Sequence, residues 1–398
     1  MAALKYLKHT LILLCIFLAG CIAQTPPVED GIMALGISSS GKYVIGSTLR
    51  KKLILFNTTK QTEEVLSKQA NIYSANYVKN NDAFIWQDDK SNVVNVETPT
   101  LKVIKIFHPG FASYGEILGS DLSTFIASSV DFNLFINTPQ YTGTVNLYSS
   151  GFFGAGKLLN LSLSNDNNYL LTCGLGMYDG EKKVLNKTEM YKNRFQLDDL
   201  VLWNLRKRTA ELGFPGNVYK SYATLSPDSN YIVTGDENMN LNVWNRTSRK
   251  FIYEGYDIRS GVFTSKRDKL GNYITDTSVL KAKEPKDFVQ PVTGSRMDAT
   301  ISIKFIDKTH YLRFIDNIPY AILYSLSSPS PLKYLKLNTA PYPAINSYER
   351  DQAIDSSWKT HMLVIAHAID AGITVYKYFP KTEKLKVIWN TKTLKLVK

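Results

Sequence analysis

Tyr222-Ala223-Thr224-Leu225-Ser226-Pro227-Asp228-Ser229-Asn230-Tyr231-Ile232-Val233-Thr234-Gly235, followed by Leu241-Asn242-Val243-Trp244-Asn245 and Lys250-Phe251-Ile252-Tyr253, reads as four short strands. The apolar and β-branched runs are each bounded by Ser, Asp, Asn or Gly, the residues that turns require. Ser226–Ser229 is the turn between the first two strands, and the chain reverses again before Leu241 and before Lys250.

The same order of residues recurs. Ala34-Leu35-Gly36-Ile37-Ser38-Ser39-Ser40-Gly41-Lys42-Tyr43-Val44-Ile45-Gly46 opens a copy whose third strand is Leu53–Asn57. Another runs from Leu161 through Ser164-Asn165-Asp166-Asn167-Asn168 to Tyr169-Leu170-Leu171, with Leu200-Val201-Leu202-Trp203-Asn204 as third strand. Weaker copies begin near Ala75, Gly115, Val262, Ile301 and Ala353, the one near Val262 being short of apolar residues. Their third strands are Val93–Val96, Leu134–Ile136, Val279–Lys281, Ala321–Tyr324 and Ile373–Tyr376.

Four strands recurring every 40–45 residues predict an all-β fold, a β-propeller of four-stranded antiparallel blades spanning residues 31–398. The span 34–390, less an insertion of about 21 residues, divides into eight units averaging about 42 residues or seven averaging about 48. Eight blades fit the period better, and seven is the alternative. The pattern resembles WD-repeat propellers: Trp203-Asn204, Trp244-Asn245 and Phe56-Asn57 stand where such repeats end their third strand in Trp-Asp. None of the histidines follows a glycine, so the Gly-His dipeptide of that repeat is missing.

Residues 1–20 form a different kind of segment. Lys5 and Lys8 precede the apolar run Leu11–Leu18, which closes in Leu18-Ala19-Gly20-Cys21. A basic start, a short apolar stretch and small residues at its end mark an export signal, and the run is too short to span a bilayer. The tetrapeptide resembles the lipobox of bacterial lipoproteins. That resemblance implies that Cys21 is acylated and becomes the first residue of the mature chain, with 21–30 as a tether. Several acyl chains anchor firmly where one is marginal. Ile22, rather than Asp, after the cysteine points by the same resemblance to the outer membrane and a periplasmic or surface-exposed body.

Cys15 lies in the leader and Cys21 would carry lipid, so Cys173 is the one thiol left to the body and no intramolecular disulfide framework is expected. The net charge of +12 comes from 36 Lys and 11 Arg against 35 acidic residues. Lysine is a hydrated point charge, whereas arginine suits bidentate phosphate and base recognition. The balance speaks for diffuse attraction to anionic surfaces and against nucleic acid as a partner.

Catalytic and metal-binding patterns are lacking in the sequence. There is no His-x-x-x-His or Cys-x-x-Cys pair, no Gly-x-Ser-x-Gly elbow and no phosphate-cradling glycine loop, so no cofactor and no enzymatic role are expected. His361 and His367 read as ordinary strand histidines.

Two departures from the repeat are the candidate contact sites. The long stretch between the second and third strands of the copy near Leu161 carries Tyr178, Lys182, Lys183, Lys187, Tyr191 and Phe195. The connection 338–348 before the last copy carries Tyr342 and Tyr348. By strand order both emerge on the face that bears the blade-to-blade connections. Insertions on one face of a repeat fold often mark a binding face, and tyrosine is enriched in contact surfaces.

The expected function is therefore a lipid-anchored interaction scaffold in the bacterial cell envelope, docking on a membrane protein or secretion assembly. It is similar in plan to the propeller lipoprotein of the outer-membrane barrel-assembly machinery. The alternatives are an envelope glycan or anionic-polymer binder and a periplasmic propeller enzyme.

Overall fold

The computed structural model describes residues 30–78, 80–129, 133–146, 157–175, 200–213, 222–235, 241–248, 250–253, 263–267, 273–275, 300–315, 320–337, 353–367 and 370–391. Every regular element of more than one residue among them is a β-strand. The strands form seven four-stranded antiparallel sheets, each made of strands consecutive in the chain. These are blades 1 to 7, covering 32–67, 76–107, 115–146, 157–213, 222–253, 300–336 and 354–390.

The first strand of each blade lies innermost. Ile32–Ile37 neighbours Asn76–Tyr77, which neighbours Gly115–Leu118, and so on through Lys157–Leu163, Tyr222–Leu225, Thr300–Phe305 and Ile354–Ser357 back to Ile32–Ile37. The ring is thus closed. Seven apolar clusters fill it, each built from two adjacent blades. The core is therefore a set of radial slabs between sheets rather than one central mass. This is why the first strand of blade 1 is buried at every position: neighbouring blades cover both of its faces.

The count of eight expected from the repeat length is corrected to seven. Among the described residues, the doubtful copy near Val262 forms a two-stranded pair, Phe263–Arg267 with Tyr273–Thr275, rather than a four-stranded sheet. The inner strands of blades 5 and 6 pack directly on each other, and Val233, Leu241 and Val243 share a cluster with Ile303, Tyr311 and Ile322. No blade fits between them. A blade needs apolar residues on both faces, and Phe-Thr-Ser-Lys-Arg offers one. Residues 254–299 are long enough for a blade but not apolar enough, so dividing the chain by length alone overcounted.

Six of the seven blades carry a register shift between their third and fourth strands. Such bulges raise the local twist.

Among the described residues, the seam between blades 7 and 1 is bridged by no shared strand. It is held by side chains: Ile32, Leu35, Val44 and Phe56 pack against Ala353, Val364, Ile373 and Val375, and Trp389 meets the Phe56 ring edge-on at 6.2 Å. Ser357 Oγ donates to Ser39 O at 3.0 Å across the same boundary.

Candidate functional site

The turns between first and second strands surround one mouth of the central channel, and they share a frame. In blade 1, Gly41 N donates to Ser38 O and Ser38 N to Tyr43 O. The same pair of bonds recurs at Gly119, Leu122 and Thr124, at Ser164, Asn167 and Tyr169, and at Ser226, Ser229 and Tyr231. The fourth residue of each frame is left-handed, with φ of 71° at Gly41, 56° at Leu122, 57° at Asn167 and 61° at Ser229. Gly41 is fixed by space as well, since a Cβ there would sit 2.4 Å from Met362 Sδ.

Side chains lock these turns. In blade 4, Asp166 accepts from Ser164 Oγ at 2.5 Å, from Asn168 N at 3.1 Å and from Asn168 Nδ2 at 2.7 Å. Blade 5 repeats this with Ser226, Asp228 and Asn230 at 2.5, 3.1 and 2.9 Å. Partial burial raises both carboxyls, but the hydrogen bonds outweigh it and hold them below the usual carboxylate range. In blade 6 the pattern becomes Asp307 and His310, with Nδ1 2.9 Å from Oδ2. Burial raises Asp307, yet the His310 contact and two backbone N–H groups bring it down to about 2. The same contact raises His310.

Adjacent blades are latched around this mouth. Asn165 N donates to Ser229 Oγ at 2.9 Å, and Asn165 Nδ2 donates to Pro227 O. Leu225 N donates to Ser162 Oγ at 3.1 Å, Ser356 Oγ to Phe305 O at 2.7 Å, and Ile37 N to Asp355 Oδ2 at 2.9 Å. The mouth is a ring of fixed polar groups.

Within it lies a cavity of about 240 Å³ to which every blade contributes. Its polar wall includes Ser39, Asn80, Asn160, Ser162, Ser226 and Ser356, with Lys304, Asp355 and Lys359 as the charged members. Trp358 is the half-buried aromatic at the rim, with Lys359 Nζ 5.7 Å from its ring centre. A preformed polar cup with a few charges and one indole suits recognition of a polar partner group.

The far end of the channel is stoppered. Tyr73, Tyr114 and Tyr222 precede or begin the inner strands of blades 2, 3 and 5, and they form one cluster. Blade 4 separates blades 3 and 5 in the ring, so Tyr114 and Tyr222 meet across the axis. Tyr73 and Tyr114 have ring centres 4.8 Å apart. Among the described residues, the channel is thus a cup open at one end.

Beside the stopper lies a buried carboxyl, Glu116, with Oε2 2.6 Å from Ser74 Oγ. Burial pushes its pKa up to about 7 despite the Ser74 and Ser113 hydroxyls. Gln87 and Asn71 complete the polar layer: Gln87 N donates to Ser74 Oγ at 2.7 Å and Asn71 Nδ2 to Gln87 Oε1 at 2.7 Å.

Cys21, Tyr178, Lys182, Lys183, Lys187, Tyr191, Phe195, Tyr342 and Tyr348 lie outside the described residues. The insertion does fall between the second and third strands of blade 4, which end at Leu175 and begin at Leu200. These are at the end of the blade opposite the cup. His361 and His367 do not converge. His361 Nδ1 meets Ile306 O at 2.9 Å, while His367 bridges Asp370 Oδ1 at 2.8 Å and Thr374 Oγ1 at 2.9 Å. Among the described residues no three His, Cys, Asp or Glu side chains are grouped to hold a metal ion.

The cup residues went unread in the sequence because they are scattered over seven blades. They share a neighbourhood instead: Ser39, Asn80 and Ser226 stand one to three residues past the end of a first strand, and Ser162, Lys304 and Ser356 one residue before it. Superposing the copies at Ser164 and Ser226 brings two wall residues, Ser162 and Thr224, into register.

No protein-family model matches the chain, and no curated protein sequence matches it. Among solved structures, the β-propeller domain of Cps50 (Swd1) from Myceliophthora thermophila is similar, with TM-score 0.55 and 10% identity over 90% of this chain and 100% of that one. Hsv2 from Kluyveromyces marxianus is similar at TM-score 0.52 and 10% identity, over 91% of this chain and 98% of that one. At this identity the likeness concerns fold alone, and the fold is a WD-repeat-like β-propeller.

Proposed function

We propose that this chain is a non-catalytic binding propeller, an interaction scaffold held at a bacterial envelope membrane by lipid on Cys21. The observation that carries the binding role is the cup: a polar cavity fed by all seven blades, open at one mouth and stoppered by tyrosines at the other. Such a site presents many weak, fixed contacts to one partner group, as recognition surfaces do. The anchoring role is supported by the sequence Leu18-Ala19-Gly20-Cys21 behind a short apolar run.

The binding role is tested by placing a photo-cross-linking residue at Ser39 or Lys359 on the mouth, with Lys250 on the outer strand of blade 5 as control. Recovery of one and the same adduct from both mouth positions, and not from the control, is the expected result. Equal labelling at all three positions, or turnover of glycoside or ester substrates by the purified chain, would overturn it. For anchoring, Cys21→Ser should abolish acyl labelling and detergent-phase partitioning.

A further inference from the structure

The outermost strand of blade 2 departs from what an exposed sheet edge ordinarily carries. Among the described residues, nine large apolar side chains are more than a third exposed, and four of them fall within six positions. They are Leu101 at 47%, Val103 at 48%, Ile104 at 42% and Ile106 at 47%. The strand Val103–Phe107 pairs with Val94–Glu97 on one side only, leaving its other edge open. Leu101 holds a left-handed φ of 63° at the tip of this hairpin, where a glycine or asparagine is the unstrained choice.

The charges on this edge narrow the occupant. Lys102, which is exposed, and Lys105, half-buried with its Nζ donating to Leu122 O at 2.7 Å, interrupt the apolar run, and residues 98–109 contain no acid. Glu97, just before them, is engaged by Trp86 Nε1 at 3.0 Å. Edge lysines and a bulge at Ile104 discourage pairing with an identical strand. A flat anionic surface is disfavoured too, because the adjoining blade 1 presents exposed Glu63 and Glu64 on its own outermost strand, Thr62–Ser67. That strand is the complement. It has an open edge, two acids and Val65 at 50% exposure, with Lys60 and Lys68 beyond its ends.

We propose that the blade 2 edge of one molecule docks on the blade 1 edge of a second copy of this chain, Lys102 and Lys105 facing Glu63 and Glu64 while Leu101, Val103, Ile104 and Val65 are covered. The contact joins two different surfaces, so it closes into a pair if made reciprocally and extends into a chain if not. Neither edge is part of the cup, so the cup's binding role stands or falls separately.

The test is sedimentation velocity on the full chain carrying Cys21→Ser, over a concentration series. Association that rises with concentration is expected. Lys102→Glu with Lys105→Glu should weaken it at least tenfold, and so should Glu63→Lys with Glu64→Lys. Mixing the two variants should restore association, because each then offers the charge the other lacks. Glu63, Glu64 and Lys102 are exposed, whereas Lys105 is half-buried against Leu122 O, so unchanged circular dichroism is required to show that both variants fold. A monomer throughout the series, unaltered association in either variant, or failure of the mixture to associate would overturn the proposal. So would binding of the parent chain to phosphatidylglycerol vesicles that Lys102→Glu with Lys105→Glu abolishes while self-association persists.

Discussion

Ile37 and Asp355 stand 318 residues apart in the chain, and the backbone N–H of the first donates to the carboxylate of the second at 2.9 Å. This bond crosses the boundary between the first and last blades, where no strand is shared. Asp355→Ala removes the acceptor from a partly buried N–H, which costs about 1–3 kcal/mol. Urea denaturation should show that loss. Hydrogen exchange should quicken at Ile37 and its neighbours, while Leu225, latched by Ser162 at another boundary, keeps its protection.

Glu116 gives the fold a dependence on pH. Its folded pKa of about 7 lies above the ordinary 4.5, so folding favours its protonated form. The contribution is fully present below pH 4.5 and is lost as pH rises through about 7, reaching ~3 kcal/mol in alkaline solution. Glu116→Gln keeps a neutral group against Ser74. It should match the parent near pH 4.5, exceed it in melting temperature at pH 8 and flatten the slope between.

The tyrosine stopper makes a packing prediction. Tyr114 is 1% exposed and contacts partners from blades 2 and 5. Tyr114→Ala should cost about 3–5 kcal/mol, as aromatic truncations in cores do. Tyr114→Phe, which preserves the rings' contact, should cost far less. Denaturant midpoints of the two variants measure the difference.

The twin turns of blades 4 and 5 should respond alike. Asp166 and Asp228 accept the same three bonds from the same residue types. Asp166→Ala and Asp228→Ala should each cost ~1–2 kcal/mol, equal within error. Because Asn165 of one turn bonds Ser229 of the other, the double variant should depart from additivity.

The strands were largely legible in the sequence because a blade writes its chemistry locally. Strand starts read at Ala34, Ala75, Gly115, Leu161, Tyr222, Ile301 and Ala353 fall within a few residues of the observed inner strands. The extra copy at Val262 was misread because length and turn residues mimic a blade, whereas burial of two faces decides one. The cup and the stopper were illegible for the opposite reason. Ser39 and Ser226, or Tyr73 and Tyr222, are brought together by ring closure, and no short window of sequence contains both members of either pair. Nothing in the local sequence marks Glu116 as buried, because Ser74, Gln87 and Asn71, which surround it, come from elsewhere in the chain.

The seam without a shared strand bears on how the molecule is made. Every blade draws its four strands from one continuous stretch, so each sheet is complete as soon as its own residues have left the ribosome, at about 5–20 residues per second. No nascent strand must wait, unpaired, for the last blade to be translated. Loop closure across the whole chain is then deferred to a single late docking of finished surfaces, led by Phe56 and Trp389. Vectorial synthesis can thus proceed blade by blade, and a circularly permuted gene cut between any two blades should yield the same ring.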